Sequence, residues 1–437
     1  MDLRNAAISA LFQWRIKEMD SQLTSAEAES VISSLRSGTV PSRFVSSYSA
    51  DNDFATRVSA RHFKGEYEQG KIRFVSGNWG SGKTHFLMRL REEAFAANFL
   101  VSSVEIKADE TPFNKFEKVF YGIVRNITSS NMYAKNFLNE SIPFGRVLQE
   151  FLEKQFLGND KNAAFLKLEA DLMSQTSIDI DFKRIIIQYW QTYTEEIEET
   201  VNFEIRARLL QWFEGTGTPA TFRKDFRVQK TVTKENARLM LQSLANFIRW
   251  MGYPGLVILF DEAEMTHTTM RKSALRQAHN NLLHLINEIH DSPGIILVYA
   301  TVPSFFIDPM HGIQTYGALA QRIGELPTIP PVPLQRVWNI DKMDATNEEQ
   351  FAACLQILKL YRVAYAEELD QLPSDEKLRN SIEELLAVRP KFSAVSSWRL
   401  AITGTVQLLD NSLEGVAAPH PEKQFEGILK LMENDDS

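Results

Sequence analysis

The segment from Gly77 to Thr84 combines glycines, a lysine and a hydroxyl in the spacing Gly-x-x-x-x-Gly-Lys-Thr. Gly77 and Gly82 would let a loop fold around a phosphate, with its N–H groups pointing inward at the positive end of the following helix. Lys83 is then expected to reach the β- and γ-phosphates, and Thr84 to offer its hydroxyl to Mg²⁺. The pattern predicts ATP binding. The predicted nucleotide contacts are Gly77, Asn78, Trp79, Gly80, Ser81, Gly82, Lys83, Thr84 and His85.

The residues on either side predict the strand and helix that such a loop needs. Ile72, Phe74 and Val75 favour a short buried strand that stops at Gly77. The segment after the loop, residues 84–95, has apolar residues at roughly helical spacing. Strand, glycine loop and helix therefore occur in the order that phosphate binding requires.

A second acidic site is predicted after the apolar run Leu256 to Phe260, which is typical of a central parallel strand. The run ends in Asp261 and Glu262, so both carboxylates should lie at the carboxyl edge of the sheet, where ligands bind in open α/β folds. We interpret Asp261 as a Mg²⁺ ligand and Glu262 as the general base that activates water. The alternative is a solvated acidic turn.

Three further residues extend this pattern, whose order of motifs resembles that of AAA+ ATPases. Thr301 ends another buried strand, Ile295 to Ala300, and would correspond to the sensor 1 hydroxyl. The resemblance implies that Arg322, which we expect just ahead of a short strand, is an arginine finger acting on a neighbouring subunit. It implies that Arg399 is the sensor 2 arginine. Each could instead be an ordinary strand-end threonine or surface arginine.

The predicted fold is α/β, a P-loop NTPase of AAA+ type with a central parallel sheet, a helical insertion and a C-terminal helical lid. An N-terminal helical segment covers residues 1–55, and the ATPase core covers 56–335 with the insertion at about 130–230. The prolines of residues 327–333 mark a linker after the last strand. Apolar residues at three- and four-residue spacing then predict a helical bundle over 336–437.

Composition is typical of a soluble intracellular enzyme. The 437 residues are 44% hydrophobic and 24% charged, and no apolar run approaches the ~20 residues needed to span a bilayer. Cys354 is the single cysteine, which excludes an intrachain disulfide and suits a reducing cytoplasm. The net charge of −8 argues against a globally basic nucleic-acid binder but leaves room for a local basic surface.

One such local surface is the segment from Gly217 to Thr233. It is locally basic and begins with residues that favour turns. It is a candidate contact for DNA or a protein partner, and the alternative is a solvated surface loop.

Beyond the nucleotide motifs, the chain resembles the ATP-binding proteins of BREX bacteriophage-defence systems, the D component and its relatives. The resemblance runs from about Ala26 to the predicted lid. It is carried by Leu35, Arg36, Gly38, Thr39, Val40 and Pro41 ahead of the loop, and by Gly80, Ser81, Gly82, Lys83, Thr84, His85, Phe86 and Leu87. It implies a bacterial cytoplasmic ATPase that works with other defence proteins.

Two hypotheses on function follow. In the first, subunits of an AAA+-like ATPase associate, and ATP hydrolysis remodels double-stranded DNA or a protein bound to it. In the second, the protein is a slowly hydrolysing, nucleotide-gated switch or scaffold that recruits an effector. Under the first hypothesis, we expect a homo-oligomer or a complex with other defence proteins. A small-molecule kinase is the weakest reading, because no motif for an acceptor substrate is present.

Overall fold

The structure, a computed structural model, describes residues 23–50, 53–64, 68–137, 143–195, 197–264, 270–343, 346–390 and 395–435. It forms two compact units. The first unit comprises Met1–Lys64, Ser76–Ala97 and Pro327–Ser437, and the second comprises Gly65–Val75 and Asn98–Leu326. The predicted domain boundaries after residues 55 and 335 stay predictions.

The strands are short, and several end where polar residues begin. They are β1 Lys71–Ser76, β2 Leu100–Glu105, β3 Ile127–Thr128, β4 Leu256–Asp261, β5 Ile295–Thr301 and β6 Val337–Asn339. The predicted strands before Gly77, before Asp261 and before Thr301 are β1, β4 and β5.

Helices make up most of the remaining described chain. They are α1 Ser25–Arg36, α2 Phe54–His62, α3 Lys83–Ala96, α4 Phe116–Arg125, α5 Ser130–Ala134, α6 Pro143–Phe156, α7 Lys161–Ser174, α8 Ile180–Gln191, α9 Glu199–Glu214, α10 Pro219–Phe226, α11 Ala237–Trp250, α12 Lys272–His290, α13 Ser304–Ile307, α14 Gly317–Ile323, α15 Asn347–Ala364, α16 Asp375–Ala387, α17 Ser397–Leu413 and α18 Pro421–Asp435. Among the described residues, no helix is long and apolar enough to cross a membrane.

A mostly parallel sheet forms the centre of the second unit, with its strands in the order β3-β2-β4-β5-β1. Strands β2, β4 and β5 run parallel, and β3 pairs antiparallel with β2. Every residue of β5, and all of β4 except Asp261, is buried. This burial explains their near-continuous apolar sequences, since parallel strands are usually covered on both faces. The predicted α/β class with a parallel sheet is confirmed.

An aromatic core holds the helices between β3 and β4 together. The Phe182 ring on α8 lies 5.3 Å from the Phe213 ring and 5.5 Å from the Phe247 ring, centroid to centroid. Trp190 and Trp212 are also buried in these helices. Large aromatic side chains dominate core energetics because each buries 150–250 Å² or so, so this helical region has its own hydrophobic core.

The proline-rich segment precedes the last strand, whereas we predicted that it follows it. We expected a strand directly after Arg322, but Arg322 lies in the last turn of α14 and the next strand, β6, begins at Val337. Only four residues separate Arg322 from Pro327, and the four prolines between residues 327 and 333 cannot donate to a strand ladder, so no strand forms there. Side chains fix the backbone of this segment. Asn339 donates to the Pro327 carbonyl at 2.7 Å, and a His62 ring nitrogen lies 2.7 Å from the Pro333 carbonyl oxygen.

The first unit buries α1 against α15, α16 and α17 in one hydrophobic cluster. Ile32 and Leu35 of α1 pack in the same cluster as Leu358 and Leu409. Cys354 is fully buried there, and burial raises the pKa of its thiol to about 11. The N-terminal helix is therefore part of the C-terminal helical core.

Arg36 connects the helices of this core through hydrogen bonds at its edge. Its guanidinium donates to Asp410 of α17 through Nε at 2.9 Å and Nη2 at 2.8 Å, and to Glu29 through Nη1 at 2.9 Å. It also donates to the Tyr365 hydroxyl at 2.8 Å, while Tyr361 donates to Asp410 at 2.7 Å. The hydrogen bonds from Arg36 to Asp410 and Tyr365 raise the pKa of the guanidinium above its ordinary value. One residue thus links three helices.

We predict that Arg36→Lys destabilises the first unit by about 1–2 kcal/mol, because a lysine cannot reproduce the two-pronged bond to Asp410. The measurement is the midpoint of thermal unfolding by scanning calorimetry. Arg362→Lys is the matched control, since Arg362 makes an exposed pair with Asp375 and should change stability by less than about 0.5 kcal/mol. Equal shifts in the two variants would contradict the linking role of Arg36.

Candidate nucleotide-binding site

The loop between β1 and α3 is built from glycines in conformations that other residues avoid. Gly82 stands at the N-cap of α3 with a φ of +93°, and Gly80 has a φ of +71°. A Cβ on Gly77 would lie 2.3 Å from the Ser81 hydroxyl and 2.6 Å from Ile340 Cγ1. Since only glycine meets both demands cheaply, these positions fix the backbone that the sequence predicted to surround a phosphate.

Lys83 opens α3 and is buried to 6% exposure. Its ammonium donates to the carbonyls of Gly77 at 2.9 Å and Asn78 at 3.2 Å, and it lies 5.3 Å from the centroid of the Trp79 ring. The Trp79 side chain is 60% exposed. A buried lysine at a helix N-terminus, next to glycine backbone, is a donor set that fits a polyphosphate.

Asp341 holds the start of the loop. Its carboxylate accepts from the backbone N–H of Asn78 at 2.9 and 3.1 Å, and from the Asn78 side-chain amide at 2.8 Å. Partial burial raises the pKa of Asp341, while the Asn78 N–H and the positive charge of Lys83 oppose that rise. The carboxylate thus fixes the first residue after Gly77. Sequence reasoning missed it, because β6 is three residues long and follows a run of prolines.

The N-terminus of α17 contacts the middle of the same loop. Ser396, the N-cap residue, donates from Oγ to the Gly80 carbonyl at 3.2 Å and accepts from the Arg399 N–H at 3.1 Å. The Arg399 guanidinium lies beside Gly38, where an added Cβ would be 3.9 Å from Nη2. The predicted sensor arginine therefore lies in the first turn of the helix whose N-cap contacts the loop. Ser396 was also missed, although a serine three residues before Arg399 is an N-cap signal.

His85 faces the N-terminal segment. A ring nitrogen lies 3.1 Å from the Ser49 hydroxyl, and the ring centroid is 5.4 Å from that of Tyr48. Burial lowers the pKa of His85 below its ordinary value. Glu92, further along α3, accepts from the N–H of Val45 at 2.7 Å and of Ser46 at 2.8 Å. Helix α3 thus orders residues 45–49.

In the second unit, the predicted acidic pair lies at the carboxyl end of β4. Asp261 is the last residue of the strand, and its carbonyl accepts from the Ile106 N–H at 2.9 Å. Its carboxylate accepts from the Glu262 N–H at 3.0 Å. Glu262 has a left-handed backbone with a φ of +52°. A non-glycine residue in this region costs of the order of 1–3 kcal/mol, and such strain clusters at functional sites.

The turn after β4 is tied to β5. Ala263 donates its N–H to the Ala300 carbonyl at 3.2 Å, and the Tyr299 hydroxyl donates to the Ala263 carbonyl at 3.3 Å. Thr301, the next residue of β5, is fully buried. Its hydroxyl has no hydrogen-bond partner within the part of the chain that the structure describes. Buried hydroxyls are normally paired, so this one is a candidate for binding a ligand or water.

Two further charged residues of the second unit are Glu264 and Arg322. Glu264, three residues beyond the end of β4, is buried to 1% exposure. Arg322 is exposed on the last turn of α14. The structure thus groups Asp261, Glu262 and Thr301 at the ends of adjacent parallel strands.

The comparison with protein families identifies the family of the chain. Residues 23–425 match the family described as BREX system ATP-binding protein BrxC/D. The chain belongs to this BrxC/D family. Neither the comparison with curated proteins nor that with solved structures finds a match. The resemblance drawn from the sequence is confirmed, and family membership implies an ATP-binding component of a BREX phage-defence system.

We predict that Asp341→Ala weakens ATP binding about tenfold, because the start of the loop loses its charged acceptor and must be ordered on binding. Asp341→Asn is the matched variant: it keeps an oxygen that can accept from the Asn78 N–H, so it should lose less than about threefold. The measurement is titration of each full-length protein with ATP by calorimetry. Tighter binding by Asp341→Ala would mean that removing a negative charge outweighs loop positioning.

Proposed function

We propose that the protein is an AAA+-like ATPase of a BREX system that couples ATP hydrolysis to remodelling of DNA or of DNA-bound defence proteins. The observation that carries the hydrolytic part is the edge formed by β4 and β5. A carboxylate pair ends one strand, and a buried hydroxyl without a described partner ends its parallel neighbour. Ligands bind at the carboxyl edge of open parallel sheets.

The residue roles follow from chemistry and position. The loop from Gly77 to His85 holds the phosphates, with Lys83 as the charged donor. Thr84 and Asp261 are the proposed Mg²⁺ ligands, because a hydroxyl and a carboxylate are hard oxygen donors. When bound, Mg²⁺ would neutralise charge on the phosphates.

Glu262 is the proposed general base, and Thr301 the hydroxyl that orients water or the γ-phosphate. The left-handed backbone of Glu262 supports this role, since strain of this kind is retained where a side chain must point in one direction. We assign Arg399 to sensing nucleotide from the lid, supported by the contact of its N-cap Ser396 with the loop. The helical insertion at 130–230 and the lid are parts of the same proposal.

Assembly of subunits is the second part of the proposal. Beyond β5, Ile307 and Met310 are 65% and 69% exposed. The turn between them is rigid, because Asp308 accepts from the N–H of Met310 at 2.7 Å and of His311 at 3.1 Å. Arg322 is exposed nearby in sequence, on α14. Exposed apolar residues and an exposed arginine within one stretch of the chain suit a contact with a second copy, to which Arg322 would supply an arginine finger.

The proposed setting is the bacterial cytoplasm, where partner proteins of the defence system would meet DNA. We place ATP, a second copy of the chain, other defence proteins and double-stranded DNA among its partners.

The first test concerns hydrolysis. Glu262→Gln should lower ATP turnover by about 100-fold or more while leaving ATP affinity within about threefold, since the amide keeps the shape but cannot take a proton. Lys83→Ala should lose ATP binding itself. Phosphate release and ATP titration, each with and without double-stranded DNA, measure the two properties.

Turnover by Glu262→Gln near that of the wild type would remove Glu262 as the base. Tight ATP binding by the wild type with negligible turnover would favour the nucleotide-gated switch instead.

The second test concerns assembly. Arg322→Ala should abolish turnover and spare ATP binding, and mixing it with Glu262→Gln subunits should restore part of the activity. Restoration is expected because one interface in the mixture then has both an intact base and an intact finger.

Met310→Glu should prevent assembly in ATP, measured as mass by light scattering, because it places a charge at the proposed contact. Leu166→Glu is the matched control, since Leu166 is 62% exposed on α7. We expect this variant protein to assemble normally. Failure of restoration together with unchanged mass for Met310→Glu would remove the subunit-interface model.

A further inference from the structure

The basic segment, defined as residues 217–234, stands apart from the rest of an acidic chain. It contains five lysines and arginines and one aspartate, a formal charge of +4 in a protein of net charge −8. The aspartate, Asp225, is paired with Arg208 of α9, and Lys234 lies 3.6 Å from the carboxylate of Glu235, the residue after the segment. All five cationic side chains are exposed. They are Arg223, Lys224, Arg227, Lys230 and Lys234.

This segment is not the solvated loop considered from the sequence. It begins as helix α10, and its apolar residues turn inward: Phe222, Phe226, Val228 and Val232 are all buried. From Phe226 onward, the buried apolar residues are interspersed with exposed ones such as Arg227 and Lys230. The apolar side chains pack into the core, while the cationic side chains stay exposed to solvent.

Side chains of neighbouring helices fix the backbone after α10. The buried carboxylate of Asp181 accepts from the N–H of Gln229 at 3.1 Å and of Lys230 at 2.9 Å. Gln188 donates to the Phe226 carbonyl at 2.8 Å.

Two further helices complete this support. Trp212 donates to the Lys230 carbonyl at 3.0 Å, and the Tyr121 hydroxyl donates to the Val232 carbonyl at 2.7 Å. The non-helical stretch 227–233 is therefore held in one shape by groups from α4, α8 and α9. A surface fixed in this way loses little conformational entropy when it binds a partner.

The geometry points to a polyanion as that partner. We propose that the basic segment binds the phosphate backbone of double-stranded DNA without reading its sequence. Its exposed cations follow one another along a short segment whose backbone after α10 is held in one shape, which suits contact with the phosphates of a duplex. Its two aromatic residues, Phe222 and Phe226, are both buried, so the segment offers no ring on which unpaired bases could stack. This inference rests on the proposed function and names the surface through which the ATPase would meet DNA.

The test compares full-length wild type with the triple variant Lys224→Gln, Lys230→Gln and Lys234→Gln. Binding of a fluorescein-labelled duplex of about 25 base pairs is followed by anisotropy over a series of NaCl concentrations. We expect the triple variant to bind at least about tenfold more weakly at 0.1 M salt. The slope of log K against log salt should fall by about 2.7, since each lost phosphate contact removes about 0.9.

The matched control is Lys359→Gln, Lys377→Gln and Lys423→Gln, which removes the same charge from exposed positions of the first unit. It should bind within about twofold of the wild type. Equal weakening in both triple variants would assign the effect to net charge and overturn the proposal. So would tighter binding of the single strand than of the duplex by the wild type. Absence of duplex binding by the wild type would also overturn it, in favour of an acidic protein partner.

The two proposals fail separately. Basal ATP turnover of the Lys224, Lys230 and Lys234 variant should equal that of the wild type, because none of these residues belongs to the nucleotide site. If turnover is normal and duplex binding is unaffected by the substitutions, the DNA surface is wrong and the ATPase stands. If the wild type binds the duplex through these lysines but does not hydrolyse ATP, the DNA surface stands and the ATPase is wrong.

Discussion

The loop before α3 depends on a constraint of backbone chemistry: its N–H and C=O groups must be held in place by something other than a helix or a sheet. Glycines permit the shape, yet they also make it entropically costly to hold. In the first unit the missing restraint comes from side chains. Asp341 accepts from Asn78, and Ser396 donates to Gly80. Both belong to the C-terminal part of the chain, so that part is coupled to the phosphate-binding loop by direct hydrogen bonds.

The same logic explains why the N-terminal helix belongs with the C-terminal helices. Arg36 joins Glu29 and Asp410, and the apolar face of α1 packs into the cluster formed by α15, α16 and α17. The segment that follows α1 is held to α3 through Glu92. Arg399, in the first turn of α17, lies beside Gly38. The family pattern around Arg36 and Gly38 is therefore explained by contacts to the C-terminal helices.

In the second unit, the pairing of parallel strands positions the candidate site residues. The register of β4 with β5 aligns Phe260 with Tyr299, so Asp261 and Thr301 follow at neighbouring strand ends. The sharp turn at Glu262 is fixed by a bond between the Ala263 N–H and the Ala300 carbonyl. The backbone of the basic segment is held in the same way as the loop. Buried Asp181 accepts from two N–H groups of a stretch that forms no helix or strand. Polar side chains thus define irregular backbone at both candidate functional surfaces.

The sequence by itself determined the features that depend on local pattern. The glycine and lysine spacing placed the loop, and continuous apolar runs placed β1, β4 and β5, because buried parallel strands need no polar face. Helical periodicity placed α3 and the C-terminal helices, and residues around Arg36 and Lys83 carried the resemblance to the BrxC/D family. Tertiary structure alone decided the features that depend on distant partners. Asp341 lies 263 residues from Asn78 in sequence and Ser396 lies 316 from Gly80, and no local pattern encodes such hydrogen bonds. By contrast, the strand expected after Arg322 is absent for a local reason, because the prolines from residue 327 onward exclude a strand there. The position of β6 after these prolines is decided by tertiary pairing, since its three residues are too few to form a local pattern.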